Sequence, residues 1–128
     1  MNPEPAESLT TARQHLKDAK TIRGLDIAHV AAREAYLAAF HAAEAFIHDR
    51  TGRVVKTHSG LRTLFARLAK DEPNLDPAFT QFLANAYDLK SLADYADKPV
   101  ERISTQDADL AIETAERFIA AIEELINP

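Results

Sequence analysis

The residues best suited to chemistry lie in one stretch that separates two segments with helical spacing. Positions 50 to 70 contain no Asp or Glu and six basic residues, namely Arg50, Arg53, Lys56, Arg62, Arg67 and Lys70. This window carries +6 in a chain whose net charge is −5, which leaves −11 for the remaining residues. An acidic protein with one basic segment is suited to holding an anion locally, such as a phosphate or an RNA backbone, rather than to coating long nucleic acid.

Arg53 and His58, with Lys56 between them, have the side chains needed to cleave an RNA phosphodiester without a metal ion. Histidine exchanges protons near neutral pH, and arginine presents a planar fork to phosphoryl oxygens as negative charge develops on them. The 2′-hydroxyl of RNA supplies the nucleophile, so no activated Ser or Cys is required. From spacing alone, the more economical interpretation is that these are ordinary surface charges at a helix junction.

The composition predicts an all-α protein and excludes several kinds of site. Ala and Leu are abundant, there are only three Gly, and the Pro residues lie at the ends of helical segments or between them. The length of 128 residues fits a single domain spanning 1–128. The absence of Cys excludes disulfides and thiolate metal sites. Because no apolar run reaches membrane length and the N-terminus does not resemble a signal peptide, we expect a cytoplasmic protein that does not contact membranes.

Hydrophobic periodicity predicts an up-and-down bundle of four long helices with an additional short helix. The first helix is expected from Glu7 to Ile22, and the second from a start signal at Asp26 to about Asp49. The third runs from a cap at Thr57 or Ser59 to between Lys70 and Glu72, and the fourth from Asp76-Pro77 to about Leu92. The last begins at a capping box of Ser104 and Asp107 and ends at Asn127-Pro128. Residues 93–100 are expected to be irregular or a frayed helical extension. The second helix is rich in Ala, so we expect it to be central, with the first and last helices packed beside it.

Three polar residues of the second helix, Glu34, His41 and His48, fall in one row along its surface. In one interpretation, favoured for His41, the histidines His41 and His48 are partly buried and hydrogen-bonded in a helix packing surface. In the other, the whole row lines a pocket covered by the basic loop. The chain has no Glu-x-x-His unit of the kind that holds paired metals in helical bundles, and no Gly-rich phosphate loop. We therefore predict neither a metal site nor a cofactor.

Three segments resemble the HEPN superfamily, specifically its small stand-alone prokaryotic proteins, and the similarity extends over nearly the whole chain. The segments are Ala35-Tyr36-Leu37-Ala38-Ala39-Phe40-His41-Ala42-Ala43-Glu44-Ala45, Lys56-Thr57-His58-Ser59-Gly60 and Ala93-Asp94-Tyr95. The resemblance implies a bundle of four to five helices, commonly homodimeric, whose active members are metal-independent endoribonucleases. Their signature is an Arg followed four to six residues later by His, and two copies form one cleft.

In this sequence Arg53 and His58 match that signature with four intervening residues. The resemblance thus implies catalysis by Arg53 and His58. The expected substrate-binding residues are Arg50, Lys56, Ser59, Glu34 and His41, of which Glu34 or His41 would orient the catalytic pair.

The resemblance also implies partners and an alternative function. Many relatives are toxins encoded beside a minimal nucleotidyltransferase antitoxin, whereas others bind nucleotides or act as accessory subunits without cleavage. Val54 follows Arg53 where the family often has a polar residue, which slightly favours a non-catalytic nucleotide-binding or interaction module. Gly60 occupies the place of a Tyr that the partner enzyme modifies with AMP in some toxins, so that mode of neutralisation is not expected.

Overall fold

The computed structural model describes residues 5–55, 57–85 and 103–127, and all regular structure within them is helical. The helices are α1 (Pro5–Arg23), α2 (Ala28–Thr51), α3 (His58–Ala69), α4 (described from 78 to 85) and α5 (Thr105–Ile126). The all-α prediction is confirmed. The expected end of the fourth helix near Leu92 and the segment 93–100 lie outside the described residues.

The Ala-rich α2 is the central helix, as its composition predicted. Helices α1 and α5 pack along it and α3 packs against it. Its fully buried alanines have short side chains, which let the neighbouring helices approach closely. Four aromatic rings link the other faces of the core, with centroid distances of 5.7 Å from Phe46 to Phe65, 5.2 Å from Phe65 to Phe118 and 4.9 Å from Phe118 to Phe79. One row of rings thus joins α2, α3, α5 and α4.

The turn between α1 and α2 differs from the prediction that Asp26 starts the second helix. The N-cap is Ile27, without a capping side chain, and Asp26 has a φ of 62° in the left-handed region. Asp tolerates this conformation better than most residues, and the tight turn requires it there. Asp26 is therefore a turn residue, and the prediction of a helix start at this position was wrong.

The connection between α2 and α3 has a defined end on each side. Gly52 adopts a φ of 72° as the left-handed C-cap of α2, and its N–H donates to the His48 carbonyl at 2.8 Å. Thr57 is the N-cap of α3, since its side chain accepts a hydrogen bond from the Gly60 N–H at 3.0 Å. Of the two predicted caps, Thr57 is therefore correct, and His58 becomes the first residue of α3.

Two other helix starts agree with the sequence. The side chains of Ser104 and Asp107 form the predicted capping box, with both hydrogen bonds at 3.0 Å. The Asp76 side chain accepts from the Ala78 N–H at 2.9 Å, where α4 begins. In contrast, α3 ends at Ala69, one residue before the predicted range.

Candidate functional site

His58 is held against the central helix by two aromatic residues. Its Nδ1 lies 2.6 Å from the hydroxyl oxygen of Tyr36, and its ring centroid lies 4.6 Å from that of Phe40. The Tyr36 ring stacks on it at 5.6 Å. Tyr36 is completely buried, whereas His58 is half-buried at the start of α3. The imidazole therefore has a fixed orientation, with Nδ1 engaged by the protein.

Arg53 lies in the connection between α2 and α3 and is exposed. Its backbone N–H donates to Thr51 Oγ1 at 3.1 Å, which fixes the chain just after the Gly52 cap. Within the described ranges of the chain, its guanidinium forms no ion pair and no hydrogen bond with His58. Arg53 therefore lies in the connection between α2 and α3, and His58 lies in the first turn of α3. The two side chains are close in sequence but do not hydrogen-bond to each other.

Arg50 is engaged within the protein. Its Nε and Nη2 donate to Glu72 at 3.2 and 2.9 Å, and Nη1 donates to Asp49 at 2.8 Å. The guanidinium carbon also lies 5.1 Å from the centroid of the Phe46 ring. Arg50 was predicted from the sequence to contact the substrate. In the structure its hydrogen bonds link the end of α2 to the segment after α3.

Lys56 and Ser59 are the other two residues of the basic segment that were predicted to bind substrate. Lys56 lies outside the described residues. Ser59 is exposed in the first turn of α3 and lines a surface cavity of about 440 Å³ together with Arg62, Thr63 and Thr80. Ser59 is therefore accessible to a ligand.

Glu34 and His41 face α1 and belong to a polar seam, which we define as Ser8, His15, Glu34, His41 and Glu44. His15 Nδ1 lies 2.8 Å from Glu34, and His41 Nδ1 lies 3.1 Å from Glu44. The two imidazole rings stack at 5.2 Å with an interplanar angle of 4°. His41 is therefore a half-buried, hydrogen-bonded residue of a helix packing surface, as in the first interpretation of this row.

Glu44 is the residue of the polar seam whose pKa departs from its ordinary value. Burial would raise the pKa of the Glu44 carboxyl, but hydrogen bonds from His41 and Ser8 and the positive charge of His41 and His48 outweigh it, so that the pKa is lowered. Ser8 Oγ donates to this carboxylate at 3.1 Å. His48, the third member of the predicted row, has a buried Nδ1 without a hydrogen-bond partner among the described residues.

Phe40 lies between the polar seam and His58. Its ring centroid is 5.3 Å from that of His41 on one side and 4.6 Å from that of His58 on the other. The hydrogen bonds of Glu34 and His41 go to His15 and Glu44, so the structure does not bring these two residues to His58. A role for them in orienting Arg53 and His58 stays a prediction.

One group in the described part of the chain has spacing compatible with a metal ion. Ligand atoms of His15, Asp18 and Glu34 lie within 4.8 Å of one another. However, His15 already bonds to Glu34, and Asp18 accepts from Gln14 at 2.9 Å, so these residues also satisfy one another across the helix contact. A search for spacing within one helix misses this group because its members come from α1 and α2.

Sequence reasoning missed the contacts of Tyr36 and His15. Tyr36 was named only as part of a segment that resembles the family, and His15 was not singled out. Since each acts through a partner on another helix, periodicity along one helix carries no signal for the contact.

The fold and the junction together define a class of protein: an all-α bundle whose central helix fixes a histidine at the start of the next helix, close in sequence to an exposed arginine. The sequence profile of the HEPN domain matches residues 6–125, and the chain therefore belongs to the HEPN family. The resemblance read from the three segments is confirmed.

A solved structure shows the same fold. The crystal structure of an archaeal HEPN homologue superposes with a TM-score of 0.70 and 19% sequence identity, covering 98% of this chain and 100% of that one. No curated protein matches the chain significantly. Among the described helices, none combines the length and the apolar character needed to span a membrane.

Proposed function

We propose that this protein is a metal-independent endoribonuclease of the HEPN toxin type, with His58 and Arg53 as its catalytic residues. The observation that carries the proposal is the fixed, half-buried imidazole of His58 at the N-terminus of α3. Backbone N–H groups at a helix N-terminus favour an anion, and the surrounding sequence adds only positive charge from 50 to 70. An RNA phosphate fits this environment.

In the proposed reaction, the 2′-oxygen of RNA attacks the adjacent phosphorus and the bond from phosphorus to the 5′-oxygen breaks. A histidine removes the proton from the 2′-hydroxyl, and a histidine protonates the departing 5′-oxygen. The products are a 2′,3′-cyclic phosphate and a 5′-hydroxyl. Arg53 donates hydrogen bonds to the non-bridging oxygens, which gain negative charge in the transition state. A second copy of the chain in a homodimer supplies the second histidine.

The ion pairs around the junction support Arg53 over Arg50 in this role. Arg50 already bonds to two carboxylates, whereas Arg53 has no ion pair within the described ranges. A guanidinium without a carboxylate partner keeps its donors for a phosphate. We expect Arg50, Lys56 and Ser59 to contribute to RNA binding rather than to the chemical step.

The test is RNA cleavage in EDTA by the wild-type protein and by the variants His58→Ala, Arg53→Ala and His29→Ala. We expect wild type and His29→Ala to release fragments with 2′,3′-cyclic phosphate ends, since His29 lies at the start of α2 and belongs to a different cavity. His58→Ala should be slower by about 100-fold or more, the usual contribution of a proton-transfer group. Equal cleavage by wild type and His58→Ala, or no cleavage by either, would contradict the proposal.

A second candidate is a non-catalytic module that binds a nucleotide or pairs with a minimal nucleotidyltransferase. Two observations favour it: Val54 is apolar and half-buried next to Arg53, and Arg50 is occupied by Glu72 and Asp49. Overexpression distinguishes the two candidates. A toxin slows growth unless its nucleotidyltransferase partner is co-expressed, whereas the module leaves growth unchanged while still binding nucleotide or partner.

A further inference from the structure

We propose that His15, Asp18 and Glu34 form a binding site for a divalent transition-metal ion such as Zn²⁺, which links α1 to α2. The inference goes beyond the proposed ribonuclease function and does not rest on it. His15 stacks on His41, and the Phe40 ring lies between His41 and His58. The proposed site is therefore separate from the junction that carries His58.

The three side chains supply ligand types that a zinc ion takes from proteins. One imidazole nitrogen and two carboxylate oxygens lie within 4.8 Å of one another. With bonds of about 2.0 to 2.2 Å, the ligand atoms of a tetrahedral zinc ion are about 3.3 to 3.6 Å apart. The distance of 2.8 Å from His15 Nδ1 to Glu34 Oε1 lies just below that range, and the limit of 4.8 Å lies above it. Small side-chain rotations therefore bring the three atoms around one ion.

The burial of the group suits an ion that keeps one water ligand. The side chains of His15 and Glu34 are 25% and 12% exposed, and Asp18 is half-buried. An ion can thus reach the group from solvent. Many zinc sites have three protein ligands, with water in the fourth position.

The charges at this helix contact also favour a cation. Asp18 and Glu34 bring two carboxylates close together where water screens their repulsion only partly. Arg33 lies 3.9 Å from Oε2 of Glu34, which gives a weak ion pair and leaves Oε1 directed at His15. A divalent ion between the two carboxylates removes the repulsion that this ion pair only reduces.

Neighbouring residues orient two of the three ligands. The Gln14 amide donates to Asp18 Oδ1 at 2.9 Å, which leaves Oδ2 for an ion. The stacking of His15 on His41, at 5.2 Å and an interplanar angle of 4°, fixes the plane of the imidazole. Partners of this kind typically contribute about 10- to 100-fold to metal affinity. The ion would replace the hydrogen bond between His15 and Glu34 and would bind the neutral imidazole.

The experiment is isothermal titration calorimetry of the metal-free full chain, without an affinity tag, with ZnCl₂ at pH 7. We expect one ion per chain. His15→Ala and Asp18→Asn each remove a ligand and should weaken binding by more than about 100-fold, whereas Gln14→Ala should weaken it by about tenfold. The control Glu7→Gln removes an exposed carboxylate from the same helix and should bind zinc as the wild type does.

Thermal melting gives a second readout, because an ion that binds only the folded chain stabilises it. ZnCl₂ at about 100 times the dissociation constant should raise the Tm of the wild type by about 5 °C or more. MgCl₂ at the same concentration should not, since magnesium takes oxygen ligands in preference to imidazole. Asp18→Asn should lose the zinc-dependent shift. Gln14 is exposed, so Gln14→Ala provides the test if a ligand variant does not fold.

Two results would overturn the site: no zinc binding by the wild type, or binding that His15→Ala and Asp18→Asn leave unchanged. Loss of binding in His48→Ala but not in Asp18→Asn would also overturn it, because the ion would then lie elsewhere on α2. RNA cleavage in EDTA tests the proposed function separately, so either proposal can fail while the other stands.

Discussion

Gly60, two residues after His58, has no room for a side chain. A Cβ at this position would lie 2.6 Å from Thr57 Oγ1 and 3.2 Å from Val55 Cγ1. Thr57 Oγ1 cannot simply move away, because it accepts the Gly60 N–H as the cap of α3. The same crowding makes a tyrosine at this position incompatible with the cap.

We therefore expect Gly60→Ala to destabilise the protein, although Gly to Ala inside a helix usually stabilises by up to about 1 kcal/mol. Loss of the cap should cost about 1 to 2 kcal/mol in the free energy of unfolding. Urea denaturation measures it, with the exposed neighbour Ser59→Ala as the control, which should change little. A Gly60→Ala protein more stable than wild type would refute the crowding at the cap.

Glu44 makes stability depend on pH in the acid range. Its pKa in the folded protein lies below the unfolded value of about 4.3, so its ionised form adds stability above that value. This contribution is lost as the pH falls through the folded pKa. Glu44→Gln should cost about 1.5 to 3 kcal/mol at pH 7, the range for hydrogen bonds to a charged group, because His41 and Ser8 then lose their charged acceptor.

The measurement is the difference in unfolding free energy between wild type and Glu44→Gln from pH 7 to pH 3. We expect the difference to shrink below about pH 4, where the wild-type carboxyl becomes protonated. The exposed Glu113→Gln on α5 is the control for loss of one negative charge. A difference that stays constant over this range would show that the Glu44 hydrogen bonds do not depend on its ionisation.

At the scale of helices, the ion pair between Arg50 and Glu72 links the end of α2 to the segment after α3. Glu72→Gln removes the negative charge that Arg50 pairs with, so the Arg50 guanidinium should be more available to contact bound RNA. Since partly exposed ion pairs are worth up to about 1 kcal/mol, RNA affinity should rise by no more than about fivefold and stability should fall only slightly. Fluorescence anisotropy with a short RNA, using His58→Ala to prevent cleavage, measures the affinity.

The control is Glu116→Gln, which removes the same charge from an ion pair with Lys20 between α1 and α5. If both variants raise RNA affinity equally, the effect comes from net charge alone, and Arg50 does not contact RNA. A specific gain in Glu72→Gln would place Arg50 among the substrate-binding residues.

The helices were predictable because hydrophobic spacing and capping are local, as the capping box of Ser104 and Asp107 shows. Asp26 was misread because its conformation is set by how α1 meets α2, which local sequence does not encode. The same limit applies to the site. Arg53 and His58 could be paired from spacing and family resemblance, whereas the contact between Tyr36 and His58 depends on the register of two helices.

At the scale of the whole molecule, the chain is acidic apart from its basic junction. Each chain supplies one His58 and one Arg53, and these two do not bond to each other within the described ranges. The proposed reaction needs one histidine as base and another as acid. Two copies that bring their basic junctions together would provide both, and the acidic surface elsewhere would direct a bound RNA to that cleft.

The proposed function therefore predicts that activity depends on protein concentration. Below the dissociation constant of the dimer, the cleavage rate per chain should fall in proportion to the fraction of dimer, because a monomer has only one histidine of the pair. Sedimentation velocity at the same concentrations measures that fraction, and Arg53→Ala tests whether the assembly forms without the catalytic arginine.

Adding excess His58→Ala chains to wild type should also lower the rate, since mixed dimers keep a single His58, whereas an equal excess of an unrelated protein should not. A constant rate per chain across concentrations at which the protein is monomeric would show that one copy suffices and that His58 acts without a partner.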